Sequence, residues 1–324
     1  MIDKISFVDF NYLKNSFLKD EKNISHKLDE QYMDFKKEYY KDSFFENISF
    51  KVEYENSKVL CPLTIQSEKK KKKLNFFGDN ILVFTNNKIS KNLDLKLKEL
   101  FKNLKSKHMI DEITFKVPKN EKNIESAKKN VEKIKSDIFI DLTLNKTELL
   151  NNFKPNLRNE LKKKYNNTQY EIIDYKNFRD KDIKEMMYMH EKVSGKITRS
   201  EKTWNINGEM IKNKKAFIVK VSYEDNPISF SFFYHNHLTC TYFSSCSLRE
   251  YFKIIKNLQH KAIYHAIEYS KSISKNLYLG SSTIFSKNNI DEKVLNIEKF
   301  KSKFLKKKNY FAIYNEIPDT FMDY

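Results

Sequence analysis

The residues best suited to chemistry in this chain lie where it spends what it otherwise withholds. Four arginines, at positions 158, 179, 199 and 249, stand against 57 lysines, and there are four glycines and one tryptophan in 324 residues. The stretch 190–204, HEKVSGKITRSEKTW, holds a glycine, an arginine and that single tryptophan together. An ammonium supplies charge, but only a guanidinium forks onto a carboxylate or phosphate. Arg199 is therefore read as an anion clamp, with Trp204 as a wall of the same ligand site. His190 has two readings, as a proton acceptor or as a cation closing a helix C-terminus. A second basic group, Arg249, Lys253, Lys256 and His260, surrounds a helix start at 257–260. Free amides and the helix dipole favour a phosphate there; the alternative is a solvated basic loop.

Composition bounds what these residues serve. The net charge of +18 attracts phosphates, nucleic acid or an anionic membrane face. The skew toward Lys, Asn and Ile is a coding bias, so part of that charge is silent about partners. Apolar residues make up 40% of the chain and aromatics 14%, enough for real cores. Cys61, Cys240 and Cys246 form no CxxC pair, which favours a reducing compartment. His235 and His237 near Cys240 and Cys246 lack tetrahedral spacing, so no metal is expected. HExxH, GxSxG and P-loop patterns are absent. No run of about 18 apolar residues occurs, and segment 1–17 carries acids within its apolar stretch. A cytoplasmic protein is expected. The lysine run 69–73, followed by Phe76 and Phe77, is a solvated hairpin connection or a peripheral contact with an anionic inner leaflet.

The elements that must position the candidate residues follow a repeated order. In the first half, alternation predicts two strands over 49–67 and a third over 72–78, then a helix through Leu93, Leu97, Leu100, Phe101 and Leu104, then a strand from Glu112. In the second half, 216–247 predicts three strands with turns at 224–227 and 235–237. A helix through Ala262, Ile263, Ala266, Ile267 and Ile273 follows, then a strand from Asn276. Two helices precede this second set. One starts near Pro155 and aligns Leu157, Leu161 and Tyr165; the other aligns Ile183, Met187 and His190 and stops at Ser194-Gly195. The fold class expected is α/β (α+β): two tandem domains, each a mixed, mostly antiparallel sheet flanked by helices. The domains are set at 1–143 and 144–324, with the last strand allowed to return to the first.

This order resembles the GNAT acyltransferase fold. Its duplication looks like the Fem-type aminoacyltransferases that add amino acids to peptidoglycan precursors, and like their relatives in envelope polysaccharide pathways. The matching pieces are 141–165, 190–204, 241–250 (TYFSSCSLRE), 258–271, LYLG at 277–280 and NIEKFKSKF at 296–304. The resemblance implies an N-acyl or N-aminoacyl transferase modifying an amino group of an envelope sugar or peptide precursor. It implies that Phe300 and Lys301 lie beside the acyl donor, with Lys301 stabilising negative charge. By analogy, the first domain binds the acceptor.

An amine attacking an activated acyl group needs no protein nucleophile; proximity and oxyanion stabilisation suffice. The candidate parts are Lys301, His190 and Tyr242 for catalysis, with Arg199, Trp204, Arg158, Ser244, Ser245 and Phe300 for substrate binding. Arg249, Lys253, Lys256 and His260 would hold phosphate. Arg199 and Lys301 are expected to face one cleft. No tightly bound cofactor is expected; the co-substrate is acyl-CoA or an aminoacyl-tRNA. The chain departs from GNAT enzymes that use coenzyme A in having no glycine between Gly208 and Gly280, where a glycine-rich loop would wrap a pyrophosphate. Two other readings stand beside this one: a basic non-catalytic nucleic-acid-binding protein, and a degenerate GNAT-like binding domain.

Overall fold

Apolar residues at every second position build most of the first part of the chain as hairpins. The computed structural model describes residues 4–7, 29–85, 87, 89–305, 309–319 and 321, so most of segment 1–17 lies outside it. In chain order the elements are β1 (Lys4–Phe7), α1 (Glu30–Tyr39), β2 (Phe44–Asn47), β3 (Phe50–Tyr54), β4 (Ser57–Cys61), β5 (Thr64–Glu68), β6 (Lys71–Asn75) and β7 (Phe84–Thr85). Next come α2 (Lys91–Lys107), β8 (Glu112–Ile113), β9 (Phe115–Lys119), α3 (Ile124–Ala127) and β10 (Lys133–Asp141). They are followed by α4 (Lys146–Asn152), α5 (Pro155–Lys162), β11 (Thr168–Ile173), α6 (Asp180–Ser194), α7 (Glu201–Lys212), β12 (Ala216–Tyr223), β13 (Asn226–His235) and β14 (Thr239–Ser247). The last are α8 (Leu258–Ser270), β15 (Asn276–Ser286), α9 (Glu292–Lys301) and β16 (Asn309–Tyr314).

The chain divides into two compact units: Met1–Asp137 with Ser281–Leu295 and Asn309–Tyr324, and Ile138–Gly280 with Asn296–Lys308. The divisions fall inside β10, β15 and α9. In the first unit, sheets of order β1-β3-β4-β7 and β2-β5-β6-β8 accompany β16, which pairs antiparallel with both β10 and β9. Sequence alternation predicts one strand across 58–67. The structure has two, β4 and β5, because Pro62 offers no N–H to a ladder and the chain changes sheet there. Helix α2 buries Leu93, Leu97, Phe101 and Leu104, as its spacing requires. The Phe101 ring meets Phe115 at 4.8 Å, Phe321 at 5.4 Å and Phe50 at 5.7 Å between centroids.

In the second unit β11, β12, β13 and β14 form an antiparallel run, and α8 carries the chain back so that β15 pairs parallel with β14. The first unit repeats this device: β5 and β6 are antiparallel, α2 follows, and β8 pairs parallel with β6. Side chains alternate across the second unit's sheet. Phe217, Val219, Val221, Ile228 and Phe233 join Ala262, Ile263, Ala266 and Ile267 of α8 in one core. Lys220 points the other way, its ammonium 4.0 Å from Glu185 of α6. Gly195, at φ +71, ends α6. The sequence reading gives no helix beyond it, yet α7 begins six residues later. Ser200 starts it, accepting from the Thr203 amide at 3.3 Å, and Thr203, Trp204, Met210 and Ile211 form its buried side.

Phe101→Ala should lower the stability of the first unit by about 3–5 kcal/mol, the cost of truncating a fully buried aromatic. The check is the urea midpoint of the unfolding transition followed by circular dichroism; a loss under about 1 kcal/mol would mean that the cluster relaxes into the space.

Candidate functional site

The parallel strands β14 and β15 are nine and eleven residues long, yet their ladder covers three residue pairs, from Thr239–Asn276 to Thr241–Tyr278. Beyond it the strands form a fork. A bulge in β14 accompanies it: Tyr242 pairs with Phe233 and Ser244 with Phe232, leaving Phe243 as the extra residue. On β15 the next turn of the backbone is Gly280, at φ +96. A side chain there would be strained by the backbone angle alone.

Lys301, the last residue of α9, reaches this fork. A Cβ built on Gly280 would lie 2.8 Å from the Lys301 Nζ, and the same ammonium is 5.7 Å from the Tyr242 ring centroid. Tyr242 and Ser245 are joined by a hydrogen bond between their hydroxyls. Burial pushes the Tyr242 phenol up to about 12, with the Ser245 hydroxyl opposing, so it stays protonated and able to donate. Behind it lies a polar net: Ser231 Oγ donates to Gln259 Oε1 at 3.2 Å, and Gln259 Nε2 donates to Ser229 Oγ at 2.7 Å and to Ser247 Oγ. The register puts Tyr242, Ser245, Ser231 and Ser229 on the α8 side of the sheet.

The opposite side carries a different group. The Arg199 guanidinium lies 4.3 Å from the centroid of Trp204, whose side chain is buried. The His190 ring meets Trp204 edge to face at 5.4 Å, and its Nδ1 is 3.2 Å from Thr198 Oγ1. Burial, and then the Arg199 guanidinium, hold the His190 pKa below the usual histidine value. That favours a neutral ring, able to take a proton, over an imidazolium closing α6. Cys246 of β14 is on this side, 3.7 Å from the Met186 carbonyl of α6. Its thiol is pushed up to about 12 by burial, against hydrogen bonding to the Phe230 backbone and the attraction of Arg199. Ser244 also faces this side by register, its hydroxyl buried without a hydrogen bond among the described residues.

The residues singled out from sequence thus fall into separate groups. Lys301, Tyr242 and Ser245 converge on the α8 side of the fork, and Arg199, Trp204, His190 and Ser244 lie on the α6–α7 side. Arg199 and Lys301 do not share one face: alternation along β14 separates them. Arg249, Lys253 and Lys256 are exposed ahead of α8. His260 is not with them. It is 6% exposed and turned to Glu160 Oε2 at 3.1 Å, because the rings of Phe300 and Phe304 cover it at 4.4 and 5.8 Å. Phe300 is thereby a packing partner of His260. Arg158 donates to Asn151 Oδ1 at 3.3 Å, a residue of neither group. Glu160, Gln259 and Gly280 were not singled out; of these only Gly280, one of four glycines, carries a signal in the sequence. Among the described residues there is no cluster of three or more His, Cys, Asp or Glu side chains poised for a metal ion.

Gly280→Ala should destabilise the second unit by about 1–3 kcal/mol through its backbone angle, with an added part from displacing the Lys301 ammonium. That part should vanish in a Lys301→Ala background. Chemical denaturation of the four proteins of this cycle reads it, and a zero coupling would separate Gly280 from Lys301. Replacing Arg199 with Lys should weaken anion binding by about 1–3 kcal/mol with little change in melting temperature. A large stability loss would make the Trp204 stack structural.

No protein-family model matches the sequence, and no match is found among curated proteins. The fold has solved counterparts. The crystal structure of FemX superposes with a TM-score of 0.61 at 12% identity, over 97% of this chain and 96% of that one. A tandem GNAT protein from the clavulanic acid biosynthesis pathway, solved without AcCoA, gives 0.53 at 9% identity, over 98% and 99%. At such identities the likeness is one of fold, and it extends over both halves. The chain has the fold seen in FemX and in that tandem GNAT protein.

Proposed function

We propose that the protein is an N-acyl or N-aminoacyl transferase that modifies an amino group of a cell-envelope sugar or peptide precursor. The observation that carries this reading is the Lys301 ammonium at the β14–β15 fork, against Gly280 and over Tyr242, in a chain of tandem GNAT fold. The acyl carbonyl lies in the fork, reached from both sides of the sheet. The acceptor amine attacks the carbonyl carbon, a C–N bond forms, and negative charge grows on the carbonyl oxygen beside Lys301. His190, neutral with Nδ1 donating to Thr198, takes the amine's proton on Nε2. The C–S or C–O bond to the leaving group then breaks, and the protonated Tyr242 phenol donates to it. Arg199, stacked on Trp204, holds an anionic group of the acceptor.

The donor is acyl-CoA or aminoacyl-tRNA. Supporting a phosphate at α8, the side chain of Asn257, its N-cap, makes no cap hydrogen bond, its amide being spent on the Glu160 carbonyl. Orphan amides at a helix start favour an anion, and Arg249, Lys253 and Lys256 stand exposed beside them. Against a wrapped pyrophosphate, the segment between Gly208 and Gly280 has no glycine. Among the described residues no helix is long and apolar enough to cross a membrane; a cytoplasmic protein, peripheral at the inner membrane face, suits such an acceptor.

Calorimetric titration with coenzyme A, acetyl-CoA and tRNA at two salt concentrations tests the donor. For tRNA, log K should fall by about 0.7 per phosphate neutralised for each unit of log salt. Tight, salt-insensitive coenzyme-A binding would assign acyl-CoA despite the missing glycines. Binding of none of the three would overturn the transferase reading.

A further inference from the structure

Segments far apart in the sequence converge on one carboxylate. Glu160, near the end of α5, accepts from Lys303 Nζ at 3.1 Å through Oε1 and is 3.1 Å from His260 Nδ1 through Oε2. Its backbone carbonyl accepts from Asn257 Nδ2 at the start of α8. The other face of the His260 ring packs on Phe300 and Phe304, and the Lys154 amide donates to the Lys303 carbonyl at 2.9 Å. Through Phe300, Lys303 and Phe304 this cluster holds the stretch 300–304, and Lys301 lies inside it.

The chemistry of the three groups is matched. Burial, and then the Lys303 ammonium, pull the His260 pKa down to about 4, with Glu160 and the Phe300 backbone opposing. The ring is therefore neutral at neutral pH, and its Nδ1–H donates to the carboxylate. One negative charge serves one ammonium and one neutral donor, so the cluster closes without a surplus buried charge. A lone exposed ion pair would hold little, but His260 is almost fully enclosed, which limits solvent competition at that end of the carboxylate.

A lysine side chain is a flexible four-carbon stem, so the place its head can reach depends on where its backbone is held. We propose that Glu160 and His260 are positioning residues for Lys301: they clamp the 300–304 turn so that the Lys301 ammonium remains against Gly280 and Tyr242. This rests on the reading of Lys301 as the group that stabilises charge in the transfer.

The test uses the full chain and trace acetic anhydride at pH 8, with mass spectrometry of the Lys301 peptide and the exposed Lys70 as internal reference. In Glu160→Gln, which keeps the shape and removes the charge, Lys301 acetylation relative to Lys70 should rise several-fold as the ammonium leaves the fork for solvent. Lys303→Met should give the same rise. Lys303→Arg, which keeps the ion pair, should restore the wild-type value at matched melting temperature, a rescue that general loosening would not show. Unchanged labelling in both Glu160→Gln and Lys303→Met, or an equal rise in Lys303→Arg, would overturn the proposal. The underlying reading fails separately: a Lys301→Met protein with undiminished transfer activity would remove it while leaving the labelling pattern intact.

Discussion

The parting of β14 and β15 is the constraint on which the second unit depends. Parallel strands are held by evenly spaced hydrogen bonds, and here those bonds stop after three residue pairs. Every oddity nearby serves that separation. The bulge at Phe243 turns β14 and moves Tyr242 and Ser245 onto one side. Gly280 takes an angle that other residues resist and leaves room for an ammonium where a Cβ would stand.

The two sides are chemically unlike. On the α8 side the polar groups are hydroxyls and amides, joined through Gln259, with the Lys301 cation added. On the α6–α7 side a guanidinium lies over an indole, and burial, then that guanidinium, depress the pKa of a neighbouring imidazole. Each cation is set against an aromatic face, Arg199 on Trp204 and Lys301 on Tyr242, where the ring quadrupole attracts positive charge.

Much of this was legible from sequence where a local rule governs. The α2 and α8 stripes, the β12–β14 meander and the Gly195 stop follow from periodicity and glycine's backbone freedom, and the structure reproduces them. Scarcity of arginine pointed to Arg199, and its partner Trp204 lies five residues away, close enough for one stretch of sequence to hold both. Lys301 was legible only through resemblance, since a lysine among 57 carries no signal of its own. His260 was misread because a histidine at a helix start beside three basic residues looks solvated. Its burial is decided by Phe300 and Phe304, some forty residues later, and by Glu160, a hundred residues earlier. Alternation along β14 also divided residues that a linear reading had put together. Helix α7 escaped because Gly208 and polar Asn205 and Asn207 dilute its apolar stripe, while Gly208 serves contact with Phe178 and Ile183.

The first unit gathers its strands from distant parts of the chain: β9 pairs with β16 from Phe115–Tyr314 to Lys119–Tyr310, and the Phe321 amide donates to Asp94 Oδ1. Contacts of such sequence separation close large loops and form slowly. During synthesis, therefore, β9 and β10 emerge well before β16, the strand that pairs with both, while the β11–β14 meander has its pairing partners close by in sequence. For these strands the order of translation and the order of completion are reversed, and the edges of β9 and β10 that β16 fills are the ones that stay longest unpaired.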